Sequence, residues 1–206
     1  MTEETNKRPY VSSGQRALEW WRDTCQPTSA ADENSSRRRD PAIRARLRRC
    51  GSNTEAAAIP AAVLLARRLQ SLRAEERQHD PDINASLGLA RVLSYVTDDV
   101  RDRPMRAAGW KRFPGENPKS QPPENQPRLA EARFRRLLAV KSGNEQVVAF
   151  SRLVKLLGGS VNVAELSQDF LNWGNDATRR RWAFDYYAAS YAAPSSDDIS
   201  LSAENA

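Results

Sequence analysis

Apolar residues along this chain recur three and four positions apart, and nowhere do they alternate with polar ones over a sustained run. Spacing of three and four puts side chains on one helix face, whereas a half-buried strand needs a period of two. The pattern therefore predicts an all-α protein. Ser12 with Gln15 resembles a capping box, after which Ala17, Leu18, Trp21 and Cys25 share a face. Asp40 followed by Pro41 marks a second start, with Ile43, Leu47 and Cys50 as the inward stripe and Gly51 as its end. Ala62, Leu65, Leu69 and Leu72 mark a third helix, and Leu89, Val92, Leu93 and Val96 a fourth. Further on, Ala130, Phe134, Leu137 and Leu138 share a face, as do Val147, Phe150, Val154 and Leu157, which stop at Gly158 and Gly159. Asn162 with Glu165 caps a helix through Leu166, Phe170 and Trp173 that Gly174 closes, and Asp176 starts a last one through Trp182, Tyr186 and Ala189.

Between the two groups of helices, Pro104, Pro114, Pro118, Pro122, Pro123 and Pro127 each remove a backbone donor and exclude a continuous helix or an interior strand. Asp102 to Pro127 is predicted to be a long surface loop or linker. The expected organisation is two packed helical bundles in one elongated subunit, 12–100 and 128–193, joined by 101–127, with 1–11 and 194–206 as tails. The link from Gln26 to Arg39 is expected to lack fixed structure.

No apolar stretch approaches the length that spans a bilayer, and Met1 to Tyr10 is polar, so a cytoplasmic location is expected and no membrane partner. Cys25 and Cys50 fall on apolar helix sides, where a thiol behaves as a small hydrophobe. The single histidine, His79, cannot build a usual zinc site with two distant cysteines, and no phosphate-binding loop or nucleophile triad is present. Asp80 with Asp82, or Asp98 with Asp99, could join a carboxylate metal site, but capping and solubility explain these pairs better. Neither an enzyme nor a cofactor is expected.

Charge points to a polyanion instead. The net charge is +6, and the stretch from Ser195 to Ala206 holds Asp197, Asp198 and Glu204 with no cation, so the rest is three charges more basic than the total. From Arg37 to Arg49 seven arginines stand against Asp40 alone. Arg44 and Arg48 fall on one flank of their helix, and Arg46 and Arg49 on the other. Arg133 and Arg136 lie opposite Phe134, with Arg128 and Arg135 beside them, while Arg152 and Lys155 oppose Phe150. Solubility accounts for any one of these. Faces that serve only solubility interleave both signs, however, and arginine suits bidentate phosphate contact, so the set favours phosphate binding. On the last helix Arg180, Phe184, Tyr187 and Tyr191 form a second stripe on which bases could stack, although aromatics at this spacing belong more often to a core.

Several runs, in order, resemble the CasB family, the small subunit of the type I-E CRISPR surveillance complex Cascade. They are Ser86-Leu87-Gly88, Glu131-Ala132-Arg133-Phe134-Arg135-Arg136-Leu137-Leu138 and Ser151-Arg152-Leu153-Val154-Lys155-Leu156-Leu157. Ala17-Leu18-Glu19-Trp20-Trp21 is similar to the family's opening helix, and Trp173-Gly174 with Arg180-Arg181-Trp182-Ala183-Phe184-Asp185-Tyr186-Tyr187 to its closing helices. The resemblance implies a non-catalytic, all-helical subunit, present as a pair, that lies along the crRNA-bound backbone and holds displaced non-target DNA to stabilise the R-loop. It implies as partners crRNA, single-stranded or R-loop DNA, the backbone subunit CasC, the large subunit CasA and a second copy of the chain. By position, Arg49, Lys141 and Arg152 match basic positions of the family's strand-binding groove, and Arg133 and Arg136 extend the same surface. The 102–127 segment looks like an insertion. After Trp173-Gly174, where some relatives place basic residues, stand Asn175 and Asp176, with Arg179 and Arg180 a turn later as substitutes. The other readings open to such a chain are a helical scaffold that binds only proteins and a helix-turn-helix regulator. A nuclease is the most remote.

Overall fold

The computed structural model describes residues 12–27, 41–70, 82–115 and 117–188. Within them the chain forms ten α-helices and two two-residue strands, so the all-α expectation holds. Asp40, Leu72, His79, Asp80, Ala189, Tyr191, the arginines at 37 to 39 and the acidic stretch lie outside the described residues.

Helix α1 (Ser13–Thr24) begins where Ser12 accepts a hydrogen bond from the Gln15 amide, as the capping box predicts. It buries Ala17, Leu18 and Trp21, and also Trp20, whose indole donates to Ala61 O at 2.9 Å. Gly14 is required by a close approach: a Cβ there would sit 2.3 Å from the Ala164 carbonyl. Helix α2 (Pro41–Arg49) turns Leu47 inward, while Ile43 and Cys50 are half-buried. A short helix that periodicity missed, α3 (Asn53–Ala57), is capped by Ser52 and precedes α4 (Pro60–Gln70). Five residues give too few turns for a readable apolar stripe.

Helix α5 (Ile83–Leu93) is buried continuously from Ser86 to Leu93 and packs against α2, α3 and α4. An apolar helix of this kind belongs at a centre. Its one buried charge, Arg91, donates to Asn53 Oδ1 and Asn144 Oδ1 at 3.0 Å each, tying α5 to the elements on either side.

The proline-bearing segment is more structured than a surface linker. Pro104 opens a short helix, α6 (Pro104–Ala108), and Pro118 and Pro123 each open a single 3₁₀ turn. Met105, Ala108 and Trp110 are buried. Prolines forbid a long helix but allow first-turn positions, and the apolar residues between them supply the anchor. The anchor is the last helix, because the Trp110 amide donates to Tyr186 O at 2.7 Å and Arg103 and Arg106 both reach Asp185.

Helices α7 (Glu131–Ala139), α8 (Asn144–Leu156), α9 (Val163–Leu171) and α10 (Asp176–Tyr186) follow. Asn162 caps α9 by accepting from the Glu165 amide, as the sequence predicts. The strands are a parallel bridge, β1 (Asp98–Asp99) to β2 (Ser160–Val161), that ties the end of α5 to the end of α8. Asp99 acts as the capping reading expects, accepting from the Val163 amide at 3.0 Å and pairing with Arg22. Packing of α1 on α9 and of α5 on α8 and α9 gives the two expected helical groups one shared core. In it Phe150 meets Phe170, Trp173 and Trp182, while Phe134 stacks on Tyr186 at 3.9 Å.

Candidate nucleic-acid interface

Helices α7 and α8 face each other across a groove of about 860 Å³. Arg133 and Arg136 come from α7, and Arg152 and Lys155 from α8. Each helix spends its inward stripe on the core, Phe134 and Leu137 on α7 and Val147, Phe150 and Val154 on α8, so residues off the stripe are left to face the gap. All four cations are exposed, and none has a carboxylate partner among the described residues. Glu145 is the one acid on this lining. Between the charges the lining is apolar, with Val140, Val148, Leu153 and Leu156. The neighbour Arg135 points to a different use, since it pairs with Glu131 at 2.5 Å.

Arg152 and Lys155 also line a second, smaller hollow of about 150 Å³ that α2 and α5 complete through Arg48, Arg91 and Tyr95. There Lys155 Nζ lies 4.2 Å and the Arg48 guanidinium 5.4 Å from the centroid of the Tyr95 ring. Two cations gathered at one aromatic ring are held by its quadrupole while their charged ends stay wet. The basic surface thus runs from Arg48 through Lys155 and Arg152 to Arg136 and Arg133.

Arg44 and Arg48 carry a structural duty as well. Arg44 donates from Nε to Ser94 O at 2.8 Å and from Nη2 to Val96 O at 2.9 Å, and Arg48 Nε donates to Ser94 O at 2.8 Å. Ser94 follows α5, where carbonyls have no helical partner and the helix dipole favours positive charge. Arg44 is half-buried, and burial first, then the charge of Arg48, lowers its pKa from the ordinary arginine value. Arg49 is exposed at the end of α2, outside both linings. Lys141 is exposed just after Val140, with its own side chain likewise outside the groove lining.

The arginines of the last helix, Arg179 and Arg180, lie on neither lining. Arg179 donates to Trp173 O at 3.0 Å and lies over the Trp173 ring, a contact that holds it against the protein, whereas Arg180 is exposed. Tyr187 donates to Glu131 at 2.9 Å and meets Phe134 edge to face, so this aromatic is packed within the fold. Beneath the helix, Arg181 and Trp182 both donate to Asp169. Burial outweighs those donors and pushes the Asp169 carboxyl up to about 6.

Tyr95 of the hollow, and Val148 and Leu156 of the groove, are among the residues that sequence reasoning missed. Val148 carried a signal, because it falls off the α8 stripe three and four positions from Glu145 and Arg152 and stays 37% exposed. Among the described residues no group of three or more His, Cys, Asp or Glu is placed to hold a metal, and no helix is long and apolar enough to cross a membrane.

No curated protein and no solved structure matches the chain. The family model described as CRISPR-associated protein Cse2 matches residues 43–187, a span that takes in both walls of the groove and the hollow beside it. The chain therefore belongs to the Cse2 family, the small structural subunit of the type I-E CRISPR complex Cascade.

Proposed function

We propose that the groove between α7 and α8 holds the sugar-phosphate backbone of a single nucleic-acid strand, and that the chain thereby stabilises the R-loop of a Cascade complex. The observation that carries this reading is the set Arg133, Arg136, Arg152 and Lys155: four cations from two helices on one groove, without carboxylate partners among the described residues. Like charges gathered on one groove repel, and an anion between them removes the cost. Exchange of a DNA duplex for an RNA–DNA hybrid is near balance, so a few backbone contacts to the displaced non-target strand tip it without reading sequence. Arg48 continues the track toward the first helical block, and the exposed Arg49, Lys141 and Arg180 extend the basic surface around it.

On this reading the two blocks, 12–100 and 128–193, act together, because Arg48 and Lys155 meet over Tyr95. The partners are crRNA, the CasC backbone, the CasA subunit and a second copy of the chain, assembled in the cytoplasm. The test is reconstitution of the complex with its guide and target DNA. R-loops formed with Arg136→Ala/Arg152→Ala chain should collapse about tenfold faster than those with the unaltered chain, at equal incorporation of the subunit. Equal lifetimes would refute the proposal.

A further inference from the structure

The groove is more than a row of cations, and a phosphate backbone alone makes no use of its apolar floor. Val148 is 37% exposed there and Leu156 half-buried, both on the lining that also carries Arg136 from α7 and Arg152 and Lys155 from α8. A ligand that satisfies both halves of this surface carries negative charge and apolar side chains in one short segment. The stretch Ser195 to Ala206 has that composition: Asp197 and Asp198, then Ile199 and Leu201, then Glu204, with no cation.

Connectivity brings it within range. Helix α10 ends beside the α7 wall, where Tyr186 donates to the carbonyl of Leu129, a groove residue, and Tyr187 donates to Glu131 at the start of α7. From Ala188 to Asp197 is nine residues, a reach of up to about 30 Å. The thirteen residues of α8 are only about 20 Å long. The stretch can therefore lie along the whole groove, and its covalent attachment gives a high local concentration.

We infer that residues 197–204 dock in the groove between α7 and α8 as an internal mimic of nucleic acid, and compete with the strand for Arg136 and Arg152. This rests on the reading that the groove takes a polyanion. It makes the free chain a weaker binder than its basic faces imply, with the strand displacing the acidic stretch on entry.

The experiment uses the full chain in four forms: unaltered, Asp197→Asn/Asp198→Asn/Glu204→Gln, Arg136→Ala/Arg152→Ala, and the two sets combined. Affinity for a fluorescent oligo-dT strand is measured at low salt. Neutralising the stretch should tighten binding about three- to tenfold in the unaltered groove and less than twofold in the Arg136→Ala/Arg152→Ala groove, because the two sets act on one contact. An equal gain in both backgrounds would mean a general charge effect and would overturn the inference, as would no gain in either. A gain that changes with protein concentration would place the stretch on a second copy and overturn the internal contact. Should no form bind the strand, the proposed function fails, and amide spectra of the full chain decide the inference separately. Resonances of Ile199 and Leu201 should shift on Arg136→Ala/Arg152→Ala, and unmoved resonances would sink it.

Discussion

The ammonium of Lys155 lies 4.2 Å from the centre of the Tyr95 ring, joining α8 to the second residue after α5. Arg48 approaches the same ring from α2, so the basic surface is continuous across helices far apart in sequence. Replacing Tyr95 by Leu retains bulk and removes the ring's attraction for both cations. The expected result is a two- to fivefold loss of affinity for single-stranded DNA with melting within a few degrees of the unaltered chain, read by fluorescence anisotropy and calorimetry.

Arg44 should behave differently from Arg152, although both are arginines on basic helix faces. Its two bonds satisfy the carbonyls of Ser94 and Val96, and in its absence Arg48 still serves Ser94 while Val96 O loses its partner. Arg44→Ala should cost about 1–3 kcal/mol of stability in urea unfolding and leave the salt dependence of DNA binding unchanged. Arg152→Ala should show the reverse pattern.

Gly14 fixes how closely α1 approaches α9. A methyl group there meets the Ala164 carbonyl at 2.3 Å, and backbone cannot step aside as a flexible side chain does. Gly14→Ala should destabilise the protein by about 1–3 kcal/mol, measured by chemical unfolding.

Asp169 gives the stability a pH dependence of known sign. Its folded pKa of about 6, raised by burial, exceeds the roughly 3.9 of an exposed aspartate, so between those values the folded chain holds a proton that the unfolded chain has released. This group's contribution is therefore favourable at low pH and is lost as pH rises from about 4 to about 6. Unfolding free energies at pH 4.5 and 6.5 should show a smaller fall for Asp169→Asn than for the unaltered chain. An equal fall in both would assign the effect to other groups.

Much of this arrangement was legible in the sequence because helix stripes and caps are local. Ser12 with Gln15 and Asn162 with Glu165 act as their spacing implies, and the off-stripe positions of Arg133, Arg136, Arg152 and Lys155 gave their exposure. Which arginines converge was not local. Arg44 and Arg48 share a flank with nothing in their own helix to reveal that the carbonyls after α5 lie beneath them. Prolines concealed the rest: 102–127 reads as a loop from its breakers, yet Met105 and Trp110 are drawn into the core by contacts with α10, some eighty residues on. The tie of Arg91 to Asn53 and Asn144 is likewise invisible to any local window.

The central claim is that Arg136 and Arg152 hold phosphates from opposite walls of one groove. It is tested most directly by the salt dependence of oligo-dT binding, comparing the unaltered chain with Arg136→Ala/Arg152→Ala. Each phosphate contact to a single strand contributes about 0.7 to the slope of log affinity against log salt, so losing two should flatten it by about 1.4. An unchanged slope, in a variant that folds and melts as the unaltered chain does, would contradict the claim.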